Sequence, residues 1–109
     1  MNWISLTSET QLDQIKEQSY TRPQVIFKHS TRCSISSMVK NRLEREQQPA
    51  AVDFHFLDLI ANRNLSRQVA DVFNVEHESP QALLIKNGVC VYNESHSGIT
   101  MDELEEKSM

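Results

Sequence analysis

The chain has 109 residues, 24% of them charged, with a formal net charge of −4. That length allows one hydrophobic core, so a single domain over residues 1–109 is expected, and an acidic chain without a basic stripe excludes general nucleic-acid binding. No apolar run approaches the roughly 20 residues of a membrane span, and no basic segment followed by an apolar one opens the chain, so a cytoplasmic monomer is the expectation.

Trp3, Ile4 and Leu6 lead into a helix expected from about Ser8 to Ser19. Ser8 and Gln11 have the capping-box spacing, and Leu12 and Ile15 give a short apolar face. Pro23 disfavours helix at Arg22, which makes Tyr20–Gln24 a turn. Val25, Ile26 and Phe27 are β-branched or aromatic, so residues 24–29 read as a buried strand. After a polar turn, Ile35, Met38, Val39 and Leu43 recur as one stripe of a helix that runs to about Gln47 and stops at Gln48-Pro49. Val52–Asp58 alternates apolar and polar residues, the pattern of a strand with one buried face. Ala61–Asn64 connects it to a helix striped by Leu65, Val69, Val72 and Phe73. Val75–Pro80 is a loop, Gln81–Lys86 a strand, and Asn87-Gly88 a two-residue hairpin turn into a strand at Val89–Tyr92. Thr100 with Glu103 fits a capping box, and Ile99 with Leu104 a hydrophobic staple, for a closing helix.

A βαβα run implies right-handed crossovers and a parallel strand pair. A β-hairpin and a helix after it complete the element order of an α/β, thioredoxin-like fold. The expected architecture is a central four-stranded mixed sheet flanked by helices, with an extra N-terminal helix. If the third strand runs antiparallel to the first, Cys33, Ser79-Pro80 and Ser95–Gly98 meet at one sheet edge.

Cys33 falls at the start of the second helix. There, unpaired backbone N–H groups and the positive end of the helix dipole favour an anion such as a thiolate. Burial as a small apolar residue is the commoner fate of a free cysteine, but the polar turn before Cys33 and the serines after it argue against that. Cys90, between Val89 and Val91, reads as a packed strand residue. With no CxxC pair, neither a structural disulfide nor a zinc site is expected.

Lys28-His29-Ser30-Thr31, Cys33-x-Ile35-Ser36, His77-Glu78-Ser79-Pro80-Gln81 and Ser95-His96-Ser97-x-Ile99-Thr100 together resemble the YtxJ-type monothiol bacilliredoxins, and the likeness spans nearly the whole chain. In that family the cysteine is usually followed by proline, where this chain has Ser34. A proline there pre-sets φ and carries no N–H; serine gives up that preorganisation and adds a donor near the sulfur. The resemblance implies a cytosolic thiol–disulfide oxidoreductase that removes bacillithiol from S-bacillithiolated client proteins through a mixed disulfide on Cys33. Bacillithiol is then a co-substrate, and no tightly bound cofactor is expected.

The resemblance also implies roles for other residues. Pro80 matches the cis-proline that faces the cysteine in thioredoxin-like proteins, and Ser79 would offer its backbone to an extended substrate. Lys28, His29 and Arg32 form a cationic rim suited to the malate carboxylates of bacillithiol, or else a solvated turn. His96 and Gly98 stand where related proteins hold the non-protein thiol, or else Gly98 serves only the turn before the last helix. Ser36 either bonds the thiolate or simply starts the helix, and His77 reads as structural. A non-catalytic thioredoxin-fold adaptor using the same cleft is the alternative function. An iron–sulfur carrier of the monothiol glutaredoxin kind fits less well, because Cys33-Ser34-Ile35-Ser36 does not match Cys-Gly-Phe-Ser.

Overall fold

Every residue of the strand Gln24–His29 is buried, and the molecule is built around it. The computed structural model describes residues 1–109. In chain order the elements are β1 (Trp3–Ser5), α1 (Glu9–Gln18), β2 (Gln24–His29), α2 (Ser34–Arg45), β3 (Asp53–Asp58), α3 (Arg63–Phe73), β4 (Gln81–Lys86), β5 (Val89–Ser95), a 3-10 turn (His96–Gly98) and α4 (Met101–Ser108). The sheet order is β1-β3-β2-β4-β5. β2 runs parallel to β3 and antiparallel to β4.

Two core layers sandwich the sheet, as the period-2 alternation of strand side chains requires. Val25 and Phe27 of β2 pack with Val39 and Leu43 of α2 and Met101 and Leu104 of α4. Ile26 points the other way, into Leu12 and Ile15 of α1 and Leu65, Val69 and Phe73 of α3. No helix of the protein is long and apolar enough to cross a membrane.

The capping box expected at Ser8 forms in full, and the one expected at Thr100 forms in half. The Ser8 side chain accepts from the Gln11 N–H and the Gln11 side chain accepts in return from Ser8 N–H, while Thr100 caps α4 by accepting from Glu103 N–H. The hairpin turn has Asn87 and Gly88 at φ 54° and 80°, the pair of left-handed residues that a type I′ turn needs. Glycine at 88 is also required by space, since a Cβ there would lie 2.5 Å from the Tyr20 hydroxyl.

Four expectations need correction. The sheet has five strands rather than four, because Trp3–Ser5 adds to the outer edge of β3. Three residues are too few to show a strand period, but Trp3 stacks on Phe27 at 5.5 Å and donates from its indole N–H to Glu44 at 2.8 Å. The alternation of β3 does not leave a wet face, since His55 is buried with its Nε2 2.7 Å from Gln24 Oε1. Helix α2 is turned from the expected stripe: Ser36, Val39 and Leu43 face inward, while Ile35 and Met38 are each 45% exposed. Val72 of α3 likewise faces outward, and Ser66 is buried in its place.

Candidate active site at the N-terminus of the second helix

Cys33 is the N-cap residue of α2, with φ −112° and ψ 119°. Its N–H donates to Ser30 O at 3.2 Å, and its carbonyl accepts from Ser37 N–H at 3.1 Å. No side chain caps this helix, its first turn carries no acid, and Arg42 and Arg45 lie in its last turn. The free, half-buried thiol therefore stands at a helix start whose first N–H groups have no side-chain cap.

The turn that presents Cys33 is held from below. Ser36 is fully buried. Its hydroxyl accepts from Ser30 N–H at 3.1 Å and lies 2.7 Å from His29 Nδ1, so both of its interactions point to the turn rather than to the sulfur. His29 is itself buried, against Phe27 and Phe56. That burial, together with the nearby Lys40 ammonium, lowers its pKa below the ordinary imidazole value. Replacing Ser36 by alanine would strand the Ser30 N–H and the His29 nitrogen. A loss of about 1–3 kcal/mol is expected, read as a lower urea midpoint; an unchanged midpoint would mean that the hydroxyl does not hold the turn.

Opposite the cysteine turn lies the start of β4. Lys28 pairs with Gln81 in the sheet, which brings the preceding Ser79–Pro80 to the same edge, and that peptide bond is cis. Pro80 is buried, and the Ser79 hydroxyl is buried without a hydrogen-bond partner. The 3-10 turn closes this side. His96 N–H donates to Pro80 O at 2.9 Å, and the His96 Nε2 lies 3.4 Å from Glu78 Oε2. Arg42 of α2 donates to Ser97 O at 2.8 Å and also to Ile99 O. The three segments expected at one edge do meet there.

The cationic rim is assembled differently. Arg32 is exposed beside the cysteine, but His29 is buried and Lys28 points to the opposite face of the sheet. Lys28 is fully buried, and its ammonium donates to Ser66 O at 3.2 Å and sits 3.2 Å from His77 Nδ1. Neighbouring positions on a strand face opposite ways, so Lys28 and His29 cannot share one rim. His77, read as structural from the sequence, thus belongs to a polar cluster at this edge. Gly98 keeps an ordinary φ, and the left-handed residue of the turn is His96 at φ 57°. A Cβ on Gly98 would come 2.9 Å from the Glu94 carboxyl carbon.

Sequence reasoning missed Ile35 and Met38 as exposed apolar groups within one and two turns of the thiol. It also passed over Arg63 and Arg67, whose i, i+4 spacing on α3 was the available signal. The family described as monothiol bacilliredoxin BrxC matches residues 4–104. Among solved structures, a candidate oxidoreductase with a thioredoxin fold is 31% identical, with 98% of this chain and 94% of that chain covered and a TM-score of 0.82. Thioredoxin from Malassezia sympodialis is 18% identical over 97% of this chain and 87% of its own, with a TM-score of 0.75. Schistosoma mansoni thioredoxin is 17% identical over 97% and 92%, also at 0.75. These last two share the fold.

Proposed function

Since the chain belongs to the monothiol bacilliredoxin family, with the fold of the thiol oxidoreductases, we propose that it removes bacillithiol from S-bacillithiolated proteins, with Cys33 as the nucleophile. The observation that carries this reading is a free, half-buried thiol at the uncapped start of α2, on the sheet edge that also holds Ser79–Pro80 and His96–Gly98. In the first step the Cys33 thiolate attacks the bacillithiol sulfur of the client's mixed disulfide. The client cysteine leaves as a thiolate and takes up a proton. Bacillithiol is now disulfide-bonded to Cys33. A second thiol, bacillithiol itself or another reductant, attacks that bond, leaves as a disulfide with the first bacillithiol, and returns Cys33 to its reduced form.

The remaining residues take supporting roles in this reading. Ser79 offers backbone groups to the client segment, Pro80 forms the wall opposite the thiol, and Ile35 and Met38 supply apolar contact beside it. Arg32, His96 and Gly98 border the space for the bound thiol. His29 and Ser36 act from beneath, by holding the turn, and Lys28 reaches the edge from the α3 side. The test is release of bacillithiol from a modified model protein by wild type and by Cys33→Ala. Release that needs Cys33 is the expected result. No release by wild type would leave a non-catalytic adaptor of the same fold.

A further inference from the structure

Arg63 and Arg67 stand one turn apart on α3 and line a pocket of about 180 Å³ with Leu59, Ser66 and His77. Behind it lies the Lys28 ammonium, in contact with both Ser66 and His77. No acidic residue lines this pocket. The ion pairs of the protein join Arg22 to Asp53, Lys40 to Glu44 and His96 to Glu78, so Arg63, Arg67 and Lys28 all lack a carboxylate. Arg67 donates only to the neutral Asn64 amide, at 3.1 Å. In a chain of net charge −4, several cations around one concavity without a counter-charge form a local field that attracts an anion. Helix α3 adds to it, since it begins at this end with no acid in its first turn. The same two arginines also border a larger hollow of about 590 Å³, but Glu9 and neutral amides line that one.

The pocket belongs to the edge that carries Cys33. Leu59 N–H donates to His29 O at 3.0 Å, tying its wall to the end of β2, and His77 lies in the loop that leads to Ser79–Pro80. The pocket lies on the α3 side of the sheet and α2 covers the other side, so a thiol adduct anchored on Cys33 reaches it by passing over the strand ends at this edge.

We propose that this pocket is the subsite for the carboxylate pair of bacillithiol while its sulfur is bonded to Cys33. The inference rests on the bacilliredoxin reading. Paired guanidinium groups present planar forks that match carboxylates, and the buried ammonium behind them adds a charge that cannot turn away to solvent. The pocket takes over the role expected of a rim at Lys28, His29 and Arg32.

The test uses the full chain and three disulfides: bacillithiol disulfide, uncharged bis(2-hydroxyethyl) disulfide and the disulfide of a glutamate-rich peptide. Bimolecular rate constants for Cys33 modification are measured for wild type and for Arg63→Gln/Arg67→Gln at low ionic strength. The expected result is a loss of about tenfold with bacillithiol disulfide, equivalent to about 1.4 kcal/mol, and none with the uncharged disulfide. Added salt should shrink the difference. Equal rates for both proteins on every disulfide would overturn the subsite while leaving Cys33 chemistry intact. An equal loss on all three would also overturn it, by showing that the arginines act on the thiol or the fold. A loss confined to the acidic peptide would reassign the pocket to client carboxylates and overturn the headgroup assignment. Failure of wild-type Cys33 to react with any of them would instead remove the proposed function.

Discussion

Cys33→Ala is expected to reduce bacillithiol release to background, while Cys90→Ala stays close to wild type. The distance between the two sulfurs decides this. Gln24 pairs with Ile85 and Ile85 with Cys90, so Cys90 lies level with the first residue of β2. Cys33 lies beyond the last, His29. From 24 to 29 at about 3.3 Å per residue is about 16 Å, whereas a disulfide needs Cα atoms within roughly 7 Å. The faces differ as well: Cys90 packs against the α1 and α3 layer, and α2 covers the opposite side of the sheet. Burial raises the Cys90 pKa, which favours the unreactive thiol form. Protein treated with bacillithiol disulfide should therefore gain the mass of one bacillithiol, located on Cys33. A Cys33–Cys90 bridge as the main product would overturn the monothiol cycle.

Lys28→Met should raise stability by about 1–3 kcal/mol near neutral pH, because it removes the desolvation penalty of a buried ammonium that has no ion-pair partner. Burial lowers the pKa of the Lys28 ammonium from 10.5 to about 8, which corresponds to about 3 kcal/mol against the charged form. Methionine keeps the unbranched shape and leaves little unpaired, because His77 Nδ1 retains the Ser66 hydroxyl at 3.4 Å. The pH dependence gives a second readout. Between about 8 and 10.5 the unfolded chain still binds the proton that the folded chain has released, so this group makes stability rise with pH in that window. Below about 8 both states are protonated and the full penalty is present. Urea midpoints from pH 7 to 10 should show that rise in wild type and not in Lys28→Met. A less stable Lys28→Met at pH 7 would sink the idea that the ammonium is retained at a cost in stability. If the carboxylate subsite is right, the same variant exchanges more slowly with bacillithiol disulfide, a trade of function against stability.

Local features were legible from the sequence because they depend on neighbours along the chain. The caps at Ser8 and Thr100, the left-handed pair at Asn87-Gly88, and the start of a helix at Cys33 each follow from a few adjacent residues. Element order fixed the strand connections, because crossovers have one hand and hairpins are antiparallel. Antiparallel pairing of β4 with β2, only a supposition from the sequence, then puts Cys33, Ser79–Pro80 and His96–Gly98 on one edge.

What the sequence could not determine was which way each side chain turns once layers pack on both sides of the sheet. The expected stripe of α2 ran through Ile35, Met38, Val39 and Leu43, and only Val39 and Leu43 face inward. Ser36 is buried beside them, where it satisfies the Ser30 N–H and approaches His29. Lys28 looked like part of a rim until α3 covered its face of β2. Between Leu84 and Ile85 the hairpin register shifts and leaves Val91 without a partner. Cys90 and Tyr92, which strict alternation would place together, therefore join different core layers. The second face of β3 is buried by the α1 and α3 layer, which takes in Leu57, while β1, too short to have a period of its own, extends the edge. For Lys28 and β3 the deciding contacts join residues distant in sequence; for α2 and the hairpin they join near neighbours whose side chains take their places only in the packed fold.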